Sequence, residues 1–152
     1  NSAEFKYIAI GVVRKSNFFY VTQYFCASKP TREDKNEISI PMIRGEIFLK
    51  TNQKRAELEL TRIRIDPALQ RKAQIQAVKN AQDGNVNLGD FYQNGCLYSY
   101  ASAAMDMSVE GVVKSIMSPA SISKLYTKTG IGARVIKQKY NNFIYVVQYF
   151  CG

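Results

Sequence analysis

Gly130-Ile131-Gly132-Ala133-Arg134-Val135, a polar connection and then Phe143-Ile144-Tyr145-Val146-Val147-Gln148-Tyr149-Phe150-Cys151 read as two strands joined by a turn. The chain carries this text twice. Near its start, Ile8-Ala9-Ile10-Gly11-Val12-Val13, a Lys15-Ser16-Asn17 turn and Phe18-Phe19-Tyr20-Val21-Thr22-Gln23-Tyr24-Phe25-Cys26 repeat it. Both copies are dense in β-branched and aromatic residues and broken by turn formers, the composition of hairpins. The shared Gln-Tyr-Phe-Cys ending argues against chance. The repeat therefore identifies the fold, and the segments between the copies must be read against it.

Outward from the first copy, 27–36 lacks apolar periodicity and contains Pro30, so it reads as a linker. From Ile38 the pattern turns helical, with Ile43, Ile47 and Leu49 or Lys50 on one face, Pro41 in the first turn, and an end near Glu59. Thr61-Arg62-Ile63-Arg64-Ile65 is an extended link. Asp66-Pro67 supplies an N-cap followed by proline at the first helical position, and this second helix presents Leu69, Ala73, Gln76, Ala77 and Asn80 before ending at Asp83-Gly84. The Gly- and Asn-rich stretch 84–100 reads as a long irregular segment, where binding surfaces often sit. A third helix, capped by Ser108, runs to Met117 and stops at Ser118-Pro119; a helical turn over 120–126 leads into the second hairpin.

Composition narrows the chemistry. A chain of 152 residues with 46% hydrophobic content is about one domain with a proper core. No apolar run approaches the roughly 18 to 20 residues that span a bilayer, and the first residues do not read as a charged, then apolar, then small-residue secretory signal. The formal charge of +9 raises attraction to polyanions without naming one, and clusters such as Arg62-Ile63-Arg64, Arg71-Lys72 and Lys137-Gln138-Lys139 also fit ordinary solvated faces. Cys26, Cys96 and Cys151 fit no zinc spacing, and their odd number forbids complete internal pairing. Buried small hydrophobes are the expected role, ahead of a disulfide; Cys26 and Cys151 hold equivalent places in the repeats. The chain has no histidine, which removes His-based zinc sites, Ser-His and Cys-His nucleophile pairs and the commonest general base.

The residues between the hairpins resemble a family. Leu49-Lys50-Thr51-Asn52-Gln53-Lys54-Arg55 is similar to the first-helix motif of CAP-superfamily domains, the group of cysteine-rich secretory proteins, antigen 5 and pathogenesis-related proteins. Ile65-Asp66-Pro67-Ala68-Leu69-Gln70-Arg71-Lys72-Ala73-Gln74 resembles its alanine-rich second helix. The Ser108-to-Pro119 segment resembles its helix ending in Ser-Pro, and the second repeat its closing hairpin. The likeness runs in order over 37–151 and implies a divergent bacterial domain with an α+β fold: a three-layer α-β-α sandwich around a short antiparallel sheet. The first hairpin, 1–26, resembles the family's approach to its Ile-Gly strand, so the expected organisation is 1–26 hairpin, 27–36 linker and 37–152 CAP-like domain. The extra hairpin is open to three readings: part of a tandem protein, a truncated duplication, or an added element that docks, pairs with a sheet edge or swaps into a homodimer.

Function follows from departures. The resemblance places metal-holding histidines and acidic residues in a pocket; here Ser121 stands at one histidine position, the other falls in the segment Asp90-Phe91-Tyr92, and Glu110 is the remaining acidic position. The fold signature persists while the pocket signature is gone. The leading expectation is a non-catalytic, exported or surface-displayed binding domain, with no cofactor, no metal and no catalytic residue. Its binding candidates are Phe91, Tyr92, Tyr98 and Tyr100, whose rings alternatively cover the core. The ligand is a lipid or sterol, which the resemblance permits, or a host or partner protein. The alternatives are a metal-dependent hydrolase using Glu110 or Asp106, and an electrostatic binder of an anionic glycan or nucleic acid, the latter not expected for want of a recognised motif. The resemblance implies an extracellular or cell-surface location. The Lys-, Ile- and Asn-leaning composition resembles spirochaete outer surface lipoproteins, although the place of Cys26 inside a strand repeat argues against lipidation there.

Overall fold

The computed structural model describes residues 7–15, 18–26, 38–138 and 140–152. The lead-in 1–5, the Ser16-Asn17 turn and the linker 27–36 lie outside the described residues. The chain divides into two compact units, Asn1–Glu37 and Ile38–Gly152. The first contains strands β1 (Tyr7–Lys15) and β2 (Phe18–Cys26), an antiparallel hairpin.

The second unit opens with helix α1 (Ile40–Glu57). The Ser39 hydroxyl accepts from the Met42 N–H at 3.3 Å, and Pro41 sits in the first turn where no donor is missed. After the two-residue strand β3 (Arg64–Ile65), helix α2 (Pro67–Asp83) starts where Asp66 accepts from the Ala68 and Leu69 N–H groups at 2.9 and 3.0 Å. It ends on Gly84 at φ 63°, a left-handed cap that glycine adopts without strain. Strand β4 (Ser99–Asp106) leads into α3 (Val109–Ile116), capped by Ser108, and a 3-10 turn at Pro119–Ile122 precedes β5 (Lys128–Lys137) and β6 (Asn142–Cys151).

The sheet order is β3-β5-β6-β4. Helices cover both faces of it. Ile43 and Ile47 of α1 and Val112 and Ile116 of α3 pack on Ala104, Ile131, Ala133, Ile144 and Val146; Leu69, Ala73 and Ala77 of α2 pack on Ala101, Val147, Tyr149 and Cys151. β4 and β6 thus feed both layers by simple alternation. The α2 layer sits very close to β5: a Cβ at Gly130 would overlap the Leu69 carbonyl, and one at Gly132 the Ala73 carbonyl. Two α2 glutamines also close part of the β5 edge. Gln70 Oε1 accepts from the Ile131 N–H at 2.9 Å, and the Gln74 amide both accepts from and donates to Ala133.

The α-β-α sandwich, the helix caps and the closing hairpin follow the sequence reading, with four corrections. The stretch expected to be irregular up to residue 100 becomes strand β4 from Ser99. Its Ser-Tyr-Ala-Ser-Ala-Ala text, of which only Ala101 and Ala104 are buried, carries little β-propensity and no clear period. Cys96 and Cys151, expected as unpaired hydrophobes, form a disulfide. β4 causes this: its Ser99 pairs with Cys151, and Leu97 N–H donates to the Gly152 carbonyl, so Cys96 is delivered beside the end of β6. On α1 the buried row is Ile43, Ile47, Thr51 and Arg55, while Leu49 and Lys50 are exposed, because the lower half of that row is polar. The sheet is mixed, since β3 runs parallel to β5.

Candidate functional site

The residues singled out in the sequence are scattered over the fold. At the lower end of α1, the spacing of four from Ile43 carries Thr51 and Arg55 into the interior. Arg55 is 1% exposed, and its guanidinium donates to the carbonyls of Thr61 (2.7 Å), Ser121 (3.2 Å), Ser123 (2.9 Å) and Tyr126 (3.1 Å). Burial holds its pKa below the ordinary arginine value. Ser121, at the position of a family histidine, is fully buried, and its hydroxyl accepts from the Ser118 N–H at 3.3 Å. A guanidinium held by carbonyls therefore lies against the backbone of this position, chemistry that disfavours a second cation there.

Between α1 and α3 lies an open groove of about 570 Å³. One wall is charged: Glu46, Lys50, Lys54 and Glu57 of α1, spaced to share a helical face. The other wall is apolar. Val112 and Ile116 of α3 turn fully into the core, while Val109, Val113 and Met117, at intervals of four, form a second row that is only half-buried and lines the groove. Glu110 and Lys114 stand at its rim, and Lys54 is paired with Glu57 at 2.8 Å.

Outside α2, the 90–94 loop holds Asp90, Phe91 and Tyr92. Phe91 stacks on Tyr92 with centroids 4.9 Å apart and leans on Tyr149 at 6.4 Å, so it lids the α2 core cluster. Tyr92 is 72% exposed beside Lys72 and the outward-facing Ile75. Asp90 accepts from the Tyr92 N–H and lies 3.7 Å from the Lys72 ammonium. The Tyr149 hydroxyl donates to the Leu88 carbonyl at 2.7 Å; burial, then the nearby Asp90 charge, push its pKa up to about 12.

Tyr100 belongs to the other side of the sheet, packed with Tyr126 and Phe150 at 6.3 Å each. Tyr98 is half-exposed beside the chain end at Gly152. The structure thus joins Phe91 to Tyr92 but places Tyr100 on the opposite face of the sheet from that pair. Ser121, Glu110 and Asp90 likewise occupy three different places. Asp106 accepts from the Ser108 N–H and hydroxyl, which holds its carboxyl below the ordinary range and commits it to the start of α3. Among the described residues, no group of three or more Cys, Asp and Glu side chains is gathered to hold a metal ion. No helix among them is long and apolar enough to cross a membrane.

Sequence reading missed Arg55 and the groove. The signal for Arg55 was present: it sits four residues beyond Thr51 on the row that starts at Ile43. The groove had no such signal, since its charged wall reads as an ordinary solvated helix face.

Two helices on one face of a four-stranded sheet, one on the other and a closing β5–β6 hairpin define a CAP-like fold. Solved structures share it. An outer surface protein from Borrelia burgdorferi matches with a TM-score of 0.59 at 21% identity, over 75% of this chain and 96% of that one. Venom allergen-like protein 4 from Schistosoma mansoni matches at 0.51 and 18% identity, over 76% and 90%. The structure of MpPR-1i matches at 0.51 and 16%, over 75% and 90%. No protein-family model matches the chain, and no curated protein matches it in sequence.

Proposed function

We propose that residues 38–152 form a non-catalytic, exported or surface-displayed binding domain that takes an anionic amphiphile with a single acyl chain in the groove between α1 and α3. The carrying observation is the two-sided wall. Val109 and Val113 pack only in part against the core, so with Met117 they leave apolar surface in the groove, and Lys50 and Lys114 line it for a headgroup. The likeness to an outer surface protein and the Cys96–Cys151 disulfide, a bond that persists in oxidising compartments, support export. The absence of histidine and the Arg55 clasp against Ser121 support a role without hydrolysis.

The test is titration of the delipidated chain with cis-parinaric acid, followed by fluorescence. Saturable binding is expected, weakened at least about tenfold by Val113→Glu, which sets a carboxylate in the apolar wall. Tyr92→Ala is the control and should bind unchanged. No saturable signal, or equal binding by Val113→Glu, removes this reading.

A second reading is favoured by Tyr92 and Ile75, 72% and 70% exposed beside Arg71 and Lys72: a patch for a partner protein of acidic and apolar surface. Loss of a captured partner on Tyr92→Ala, with fatty-acid binding intact, would select it.

A further inference from the structure

The two hairpins agree in more than sequence. With Cys26 set on Cys151, all nine residue pairs of β1–β2 fall on pairs of β5–β6 without a shift. Tyr7↔Cys26 answers Lys128↔Cys151, Ala9↔Tyr24 answers Gly130↔Tyr149, Gly11↔Thr22 answers Gly132↔Val147, and Lys15↔Phe18 answers Ile136↔Phe143. Register is fixed where both faces of a strand pair must be covered, because a slip of one residue exchanges the faces. In β6 the alternating sets meet α1 and α3 on one side and α2 on the other. The register positions of those sets hold Phe19, Val21, Gln23 and Phe25, and Tyr20, Thr22, Tyr24 and Cys26, in β2. A two-stranded hairpin alone is marginal in water. One written for covering on both faces needs helices on both faces.

We infer that β1–β2 is the closing hairpin of a second CAP-like unit, different from the unit 38–152. One position separates this from an exchange of hairpins between copies of the same chain. Gly130 lies so close to α2 that any Cβ would overlap the Leu69 carbonyl, and β1 carries Ala9 at that register position. β1 cannot replace β5 in this domain unless α2 moves. It suits a unit whose second helix stands slightly farther from the sheet.

The inference extends to Cys26. Cys151 is bonded to Cys96, 55 residues earlier, at the foot of β4. Cys26 holds the register position of Cys151, so the second unit supplies a cysteine at the foot of its own counterpart of β4, outside residues 1–152. The two thiols lose two protons and two electrons to a disulfide-bearing oxidoreductase, which leaves as the dithiol.

The experiment is peptide mapping of the natural protein, with free thiols alkylated by iodoacetamide before proteolysis and no reductant. Expected is a Cys26 peptide crosslinked to a peptide from outside residues 1–152, together with Cys96–Cys151. Alkylated Cys26, or Cys26 bonded to Cys96, to Cys151 or to another Cys26, overturns the inference. Hydrogen exchange on the same protein supplies a readout free of cysteine chemistry. The amides of β1 and β2 should be protected to the same order as those of β5 and β6, and exchange of the first hairpin at unprotected rates also overturns it.

Discussion

Arg55 is sealed in the interior among four carbonyl oxygens, with no carboxylate among its hydrogen-bond partners. A buried cation survives there only because its donors are met by dipoles. Truncation strands those carbonyls, so Arg55→Ala should cost about 3–5 kcal/mol, read as a fall in the urea midpoint. Arg55→Lys should recover only part, since an ammonium cannot reach across the same fork. Asp66 works at the surface end of α2. Its carboxyl is held below the ordinary range first by the Leu69 N–H, with Ala68 N–H and the Lys128 charge adding to it. A depressed carboxyl contributes stability that is present above its ordinary value near 3.8 and is lost as pH falls through its lower folded value. Asp66→Ala should therefore lose about 1 kcal/mol at neutral pH and flatten the acid-side fall in stability below about pH 4. The Asp66-Pro67 start and the Gly84 stop were legible in the sequence because caps are local chemistry. The place of Arg55 on the α1 row was legible too, but its clasp was not, because the partners lie 6 to 71 residues away along the chain.

At the scale of elements, α2 and β5 are matched by what β5 lacks. Gly130 and Gly132 leave room for the α2 backbone to lie on the strand, and Gln70 and Gln74 take up strand N–H groups that a neighbouring strand would otherwise claim. Gly132→Ala should therefore cost about 2–3 kcal/mol as the helix is pushed away. Gly45, inside α1 with open space around its Cβ position, gives the opposite sign: Gly45→Ala should gain about 0.5–1 kcal/mol. Thermal melts of both variants check the pair, and equal signs would contradict the packing described. Element legibility followed the same logic. β5 and β6 announce themselves by aromatic and β-branched residues, whereas β4 is an alanine-rich strand between two helical layers, and small residues that fit close packing carry no periodic signal. The groove was illegible for a related reason. Its apolar row belongs to α3 and its charged row to α1, and only the tertiary packing sets them face to face.

At the scale of the whole molecule, the disulfide is what the missed strand makes possible. Cys96 and Cys151 enclose β4, α3, β5 and β6 in one loop of 55 residues, tying the foot of one strand to the end of its neighbour. Cross-linking a loop of that length removes unfolded-state entropy equivalent to about 4 kcal/mol in the chain-entropy model. The domain should depend on this bond, because marginal stabilities are commonly about 5–15 kcal/mol. Urea unfolding followed by far-ultraviolet circular dichroism, with and without dithiothreitol, should show a midpoint lowered by reduction. Cys96→Ser should reproduce the reduced midpoint and no longer respond to the reductant. Cys26→Ser should leave the transition of residues 38–152 unchanged, because its proposed partner is in another unit. A midpoint indifferent to dithiothreitol would mean that the close approach of Cys96 and Cys151 is a packing contact of thiols, and that the oxidising-compartment argument for export has to be given up.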